Sequence, residues 1–144
     1  MRKNVLVLCT GNSARSVLAE CLINDLAGGT WRAFSAGSHP TGRINPLTLA
    51  VLEEKGHSTE GCRSKSWDEF AQPDAPKMDM VITVCDNAAG EICPIWPGHP
   101  SKLHIGFPDP AAVQGTEVER LQAFRDVYDQ IELKVRQLLA GEVQ

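Results

Sequence analysis

No stretch of 18 or more apolar residues occurs in this chain, so it contains no candidate membrane-spanning helix. The five apolar residues Val5–Cys9 behind Met1-Arg2-Lys3 are too few for a signal-peptide core. Positive charge is not in excess: 14 Lys and Arg stand against 18 Asp and Glu, a net charge of −4. That balance argues against general binding to nucleic acid or to an anionic membrane surface. Five cysteines is an odd number, so a static disulfide framework is not expected and catalytic or redox use is the better reading. His39, His57, His99 and His104 have no ligand spacing with one another or with the cysteines. Neither a metal centre nor another resident cofactor is therefore expected. Internal repeats, low-complexity segments and linkers are missing too. The 144 residues read as one domain, 1–144, working in the cytoplasm.

What is present is concentrated near the start. The apolar run Val5-Leu6-Val7-Leu8 leads into Cys9-Thr10-Gly11-Asn12-Ser13-Ala14-Arg15-Ser16, a C-x5-R-S pattern between a buried strand and a helix. Such a loop turns backbone N–H groups inward, and the helix N-terminus adds partial positive charge. Arg15 supplies a planar fork of donors that suits a tetrahedral oxyanion. Cys9 at the bottom of this cradle is favoured as a thiolate, a nucleophile aimed at phosphate or a phosphate look-alike. Gly11 and Ala14 permit close backbone approach, while Ser13 and Ser16 offer hydroxyls to the Cys9 sulfur.

The rest of the chain alternates strands and helices. Strands are expected at Asn4–Leu8, Trp31–Ala36 and Met80–Val84, with a short one near Lys102–Ile105. Helices are expected at Arg15–Ala27, at Asn45–Lys55 with Asn45 as N-cap and Pro46 at the first position, and at Glu117–Leu139. In the last helix Val118, Leu121, Phe124, Tyr128, Ile131, Val135 and Leu138 recur at three- and four-residue steps. Asp68–Phe70 reads as a single helical turn. Residues 85–116 hold more than half of the prolines and read mainly as loop. The alternation predicts a parallel sheet with ligands beyond the carboxyl ends of its strands.

Two further groups bear on that rim. Cys85 and Cys93 frame the small, polar segment Asp86-Asn87-Ala88-Ala89-Gly90-Glu91-Ile92, which suits a pair that closes a disulfide. Asp109, stiffened by Pro108 and Pro110, suits a general acid for a departing oxygen. Cys21 falls on the apolar face of its helix and reads as core packing. Cys62, between Gly61 and Arg63, is given no catalytic role.

Together these features resemble the arsenate reductases built on the low-molecular-weight protein tyrosine phosphatase fold. The resemblance is carried by Val7–Ser16, Ala19-Glu20, Ser35-Ala36-Gly37, Asp79–Cys85, Cys93-Pro94, Gly106–Pro110 and Gly115-Thr116-Glu117. It implies a four-stranded parallel sheet, order 2-1-3-4, flanked by helices. It implies Cys9 as nucleophile, residues Thr10 to Ser16 as the oxyanion loop with Arg15 as its side-chain donor, Asp109 as acid, and Cys85 and Cys93 as the resolving pair. Arsenate is the implied substrate and thioredoxin the implied reductant, with glutathione–glutaredoxin or mycothiol as alternatives.

Two departures stand out. His104-Ile105-Gly106-Phe107 replaces the His-Trp-Gly-Phe stretch frequent in the family. Some members bind potassium beside the loop through Asn, Glu, Ser and an acidic residue. Asn12, Glu20 and Ser35 match, but Lys65 stands where the acid would be, and its ammonium is expected to replace the ion. Two other readings compete. A tyrosine phosphatase would use Cys9, Arg15 and Asp109 alone, but Ala111-Ala112-Val113 follow the acid where such enzymes carry tyrosines. A non-catalytic oxyanion or redox sensor would bind without turnover.

Overall fold

The computed structural model describes residues 3–84 and 100–141. Strand β1 is Lys3–Cys9, flanked by β2 (Trp31–Gly37) on one side and β3 (Met80–Thr83) on the other; β4 (Ser101–His104) forms the outer edge beyond β3. Every pairing is parallel, and the order is β2-β1-β3-β4 as expected. The central position of β1 explains its unbroken apolar run, because both of its faces are covered. Val5, Val7 and Cys9 enter the larger apolar cluster, while Leu6 and Leu8 enter the smaller one on the opposite face. This is the two-residue period of a strand read on both sides.

The larger cluster is closed by α1 (Arg15–Leu26), α2 (Pro46–Glu54) and α3 (Glu117–Leu139). The smaller is closed by Phe70, from the 3-10 turn Trp67–Phe70, together with Met78. Each fully buried Leu or Val here contributes about 1.5–3 kcal/mol by leaving water. Asn45 caps α2 by accepting from the Leu47 N–H at 2.9 Å, with Pro46 at the first helical position. Helix α3 starts with a reciprocal capping box between Thr116 and Glu119.

Element boundaries move by a residue or so from those expected, and one shift has consequences. Strand β1 runs through Cys9, so the thiol belongs to the rigid strand end and not to the loop. Val118 is not a core residue of α3: it is 73% exposed, in the first turn. Val127, unassigned from the sequence, is buried in its place. Ile105 and Phe107 border a small apolar cavity of about 20 Å³ with Val7, Ala19, Ile23 and Ile82.

A polar tie joins the helices. His57 Nδ1 pairs with Asp25 from α1, and Nε2 lies 2.6 Å from the Tyr128 hydroxyl of α3. Burial pushes the Tyr128 phenol up to about 12, so it stays protonated and held in this contact. No described helix is long and apolar enough to cross a membrane.

Candidate active site

Cys9 ends the central strand, 3% exposed, and its Sγ lies 2.9 Å from Ser16 Oγ in the first turn of α1. Ser16 Oγ also accepts from Asn12 Nδ2 at 2.8 Å. Its lone pair is thus engaged by the amide, and its own proton is free to point at the sulfur. Of the two serines expected to serve Cys9, Ser16 does so. Ser13 enters instead through its carbonyl.

The loop from Thr10 to Ala14 is braced from outside by its carbonyls. Thr10 O accepts from His39 N at 2.9 Å, and Gly11 O accepts from Thr41 N at 3.1 Å and from Ser64 Oγ at 2.9 Å. Ser13 O accepts from Asn45 N at 3.1 Å and from Thr48 Oγ1 at 2.8 Å. In a planar trans peptide the C=O and the following N–H point in opposite directions. Fixing these three carbonyls outward therefore directs the N–H groups of Gly11, Asn12 and Ala14 away from the bracing segments. No side chain caps α1, because Ala14 is its N-cap residue. Its first-turn N–H groups have no intrahelical partner and add to an anion-binding end.

Asn12 organises the interior of the loop. It is fully buried, has a φ of +48°, and donates through Nδ2 to Ser16 Oγ and, at 3.0 Å, to Ser35 Oγ. Its Oδ1 accepts from Lys65 N at 2.9 Å. Ser35 in turn donates to Glu20 Oε1. Lys65 Nζ lies 4.0 Å from that same carboxylate oxygen and donates to Arg63 O at 3.3 Å. Burial pushes the Glu20 carboxyl up, opposed by Lys65, and pushes the Lys65 ammonium down, opposed by Glu20. Desolvation thus outweighs a 4.0 Å attraction for both partners. The structure therefore brings Asn12, Glu20, Ser35 and Lys65 into one network behind the loop, with positive charge supplied by the chain itself.

Gly37 shows how closely this network is packed. A Cβ there would lie 2.4 Å from Thr10 O and 3.0 Å from Cys9 O. Both are backbone atoms that cannot swing away. Gly37→Ala is expected to cost about 2 kcal/mol or more, as overpacking does. Urea denaturation checks this; an unchanged midpoint would show that β2 shifts freely against the loop.

Arg15 is 18% exposed in its side chain and donates through Nη1 to Phe107 O at 3.1 Å. Its Nη2 lies 3.9 Å from Asp109 Oδ2. Asp109 also accepts from Ala111 N at 3.0 Å through Oδ1, which holds the carboxyl at the head of the Pro110–Ala112 turn. The two residues, 94 positions apart, therefore meet. Cys85 and Cys93 lie outside the described residues. The chain leaves β3 through Val84, whose N–H donates to Leu8 O at 2.9 Å. Among the described residues no group of three or more His, Cys, Asp and Glu could hold a metal ion.

His39, Thr41, Thr48 and Ser64 were not singled out from the sequence. Thr48 left a usable signal: a hydroxyl on the buried face of a short helix needs a partner. Ser64 and the backbone of His39 and Thr41 left none, because their contacts are set by tertiary path.

A loop with Cys9 at the end of the central strand and Arg15 at the start of α1, inside a parallel 2-1-3-4 sheet, has the frame of the phosphatase class. The chain belongs to the low molecular weight phosphotyrosine protein phosphatase family, whose family model matches residues 4–144. It is 38% identical over 129 residues to the arsenate reductase of Bacillus subtilis (strain 168), a match covering 90% of this chain and 89% of that protein. The solved arsenate reductase from Archaeoglobus fulgidus DSM 4304 is 30% identical with a TM-score of 0.72, covering 94% of this chain and 98% of that one. A thioredoxin-dependent arsenate reductase of Corynebacterium glutamicum is 25% identical with a TM-score of 0.70; the match covers 98% of this chain but only 62% of that longer one.

Proposed function

We propose that this protein reduces arsenate to arsenite through a thiol–disulfide cascade. The observation that carries the reading is the Cys9 sulfur at the carboxyl end of the central strand, hydrogen-bonded to Ser16 at the mouth of α1. The N–H groups of the braced loop and the Arg15 guanidinium bind the oxyanion. The Cys9 thiolate attacks arsenic, an As–O bond breaks, and Asp109 protonates the departing oxygen, which leaves as water. Cys85 then attacks the Cys9 sulfur. The electron pair of the S–As bond passes to arsenic, As(V) becomes As(III), and arsenite departs from a Cys9–Cys85 disulfide. Cys93 attacks Cys85, releases the Cys9 thiolate and leaves a Cys85–Cys93 disulfide for an external dithiol to reduce. The roles of Cys85 and Cys93 rest on the sequence pattern and on the arsenate reductase relatives. Thioredoxin is the reductant this scheme favours, and a reducing cytoplasm is the compartment that suits it.

The same Cys9, Arg15 and Asp109 also suit a phosphate ester, so slow aryl phosphatase activity should accompany reduction. A dedicated tyrosine phosphatase is less well supported. The chain's one tyrosine, Tyr128 on α3, is 4% exposed and held by His57, and exposed Ala111 and Ala112 follow Asp109.

The test is NADPH consumption with arsenate, coupled in parallel to a thioredoxin system and to a glutathione–glutaredoxin system. Steady turnover with the first alone supports the full scheme; oxyanion binding without turnover in either would favour a sensor. Cys85→Ser should stop multiple-turnover reduction and spare aryl phosphate hydrolysis. Cys93→Ser should permit about one turnover and then stall as a Cys9–Cys85 disulfide, visible by mass spectrometry. Thioredoxin-driven turnover of Cys93→Ser at the wild-type rate would make Cys93 a bystander.

The Lys65 ammonium is proposed to take the place of the potassium ion that some relatives use. Lys65→Asp removes that cation and sets a second carboxylate beside Glu20. Activity of the variant should then depend on potassium over sodium, while wild type is indifferent. A strong potassium response in wild type would refute the tethered cation.

A further inference from the structure

Cys21 and Cys62 play no part in the scheme above, yet the fold brings them together from 41 residues apart. Their sulfurs are 4.0 Å apart, with Cys21 on α1 and Cys62 on the segment entering from α2. Both are free thiols, and both are partly exposed at the edge of the larger apolar cluster. The separation is nearly twice the ~2.05 Å of a disulfide bond, a gap that one atom bonded to both sulfurs would span.

We infer that Cys21 and Cys62 form a two-sulfur site for a trivalent arsenical. The reaction balances without a redox step. Arsenite, As(OH)3, condenses with the two thiols to give a dithio-arsenical that keeps one hydroxyl, and two waters leave. Arsenic remains As(III) throughout.

The surroundings favour this ligand over the other occupants of a thiol pair. Burial pushes both thiols up, that of Cys21 far above the ordinary range, so both are protonated at neutral pH. Disulfide formation proceeds through a thiolate, which this setting disfavours. A zinc ion takes thiolates and almost always four ligands in a structural site, and no cluster of three or more metal-ligating side chains exists among the described residues. Condensation of As–OH with S–H leaves no net charge behind, which suits a desolvated site.

The site is also placed to matter. Residues just beyond Cys62 brace the oxyanion loop: Ser64 Oγ donates to Gly11 O and Lys65 N donates to Asn12 Oδ1. An arsenical bridging Cys21 to Cys62 fixes that segment to α1. That the arsenite would come from Cys9 rests on the proposed function; the binding itself does not.

The test therefore uses phenylarsine oxide, which condenses with two thiols and releases one water, and it needs no turnover. In a variant with Cys9, Cys85 and Cys93 all changed to Ser, one equivalent should bind. It should remove both remaining thiols from titration, and a dithiol but not glutathione should release it. Adding Cys62→Ser or Cys21→Ser should abolish the adduct. Should the triple variant not fold, the wild-type protein gives the same answer by tryptic mapping. Peptides Ser16–Arg32 and Gly56–Arg63 should appear joined through one phenylarsine unit. Two freely titrating thiols, or a Cys21–Cys62 disulfide with no arsenical retained, would overturn the assignment. Absence of arsenate reduction by the wild-type protein, with phenylarsine binding intact, would instead count against the proposed function alone.

Discussion

Cys9→Ser should lower arsenate reduction and aryl phosphate hydrolysis together, by about 10³-fold or more, the scale on which enzymes lose turnover without their covalent nucleophile. The two losses have different origins. A serine hydroxyl in the same place is a poorer nucleophile, so hydrolysis slows. Reduction fails for a second reason: oxygen cannot enter the disulfide that carries electrons to arsenic. Reduction should therefore vanish even where trace hydrolysis survives. Stability should change little, because the new hydroxyl keeps Ser16 Oγ as a partner beside it. Paired rate measurements and a thermal melt check all three points. Retention of more than a few per cent of reduction would remove Cys9 from the mechanism.

The fold was legible in the sequence because its signals were strong and local. The run Val5–Leu8 is apolar without alternation, which only a strand covered on both faces requires, and β1 is the central strand. Helix α3 was expected over Glu117–Leu139 from its three- and four-residue apolar steps and spans those residues, with Thr116 and Glu119 closing a capping box at its start. Val118 was misread because periodicity alone does not say where along a helix the core begins. In the site, the C-x5-R-S pattern located Cys9, Arg15 and Ser16. The group Asn12, Glu20, Ser35 and Lys65 behind them was expected from the family resemblance, but the outer braces of the loop were not legible. The carbonyl braces come from residues 39, 41, 45, 48 and 64, whose meeting depends on tertiary path and leaves no spacing to detect. The pairing of Cys21 with Cys62 was hidden for the same reason. Each thiol alone looked inert, and only the fold sets one beside the other.

Inside the loop, the largest consequence of a single substitution is expected at Asn12. Its fully buried side chain makes three hydrogen bonds, to Ser16, to Ser35 and to the part-buried Lys65 N–H. Asn12→Ala removes all three and leaves the part-buried Lys65 N–H without its acceptor, at up to about 1–3 kcal/mol for a donor left unpaired. It also places alanine at a φ of +48°, a left-handed conformation that asparagine adopts more readily than alanine. A loss of about 1–3 kcal/mol follows from the unpaired donor, and the backbone preference adds to it. Asn12→Gly separates them: it relieves the backbone but not the hydrogen bonds, and should sit about 1 kcal/mol above the alanine variant. Function should fall in both. Ser16 would no longer be held by the amide, so its hydroxyl would cease to be aimed at Cys9. Oxyanion binding should weaken together with turnover, and an inhibitory oxyanion such as phosphate measures the first independently of the second. Equal stability of the two variants would show that the left-handed backbone at position 12 is unstrained. Wild-type phosphate affinity in either would show that the loop holds its shape through its external braces alone.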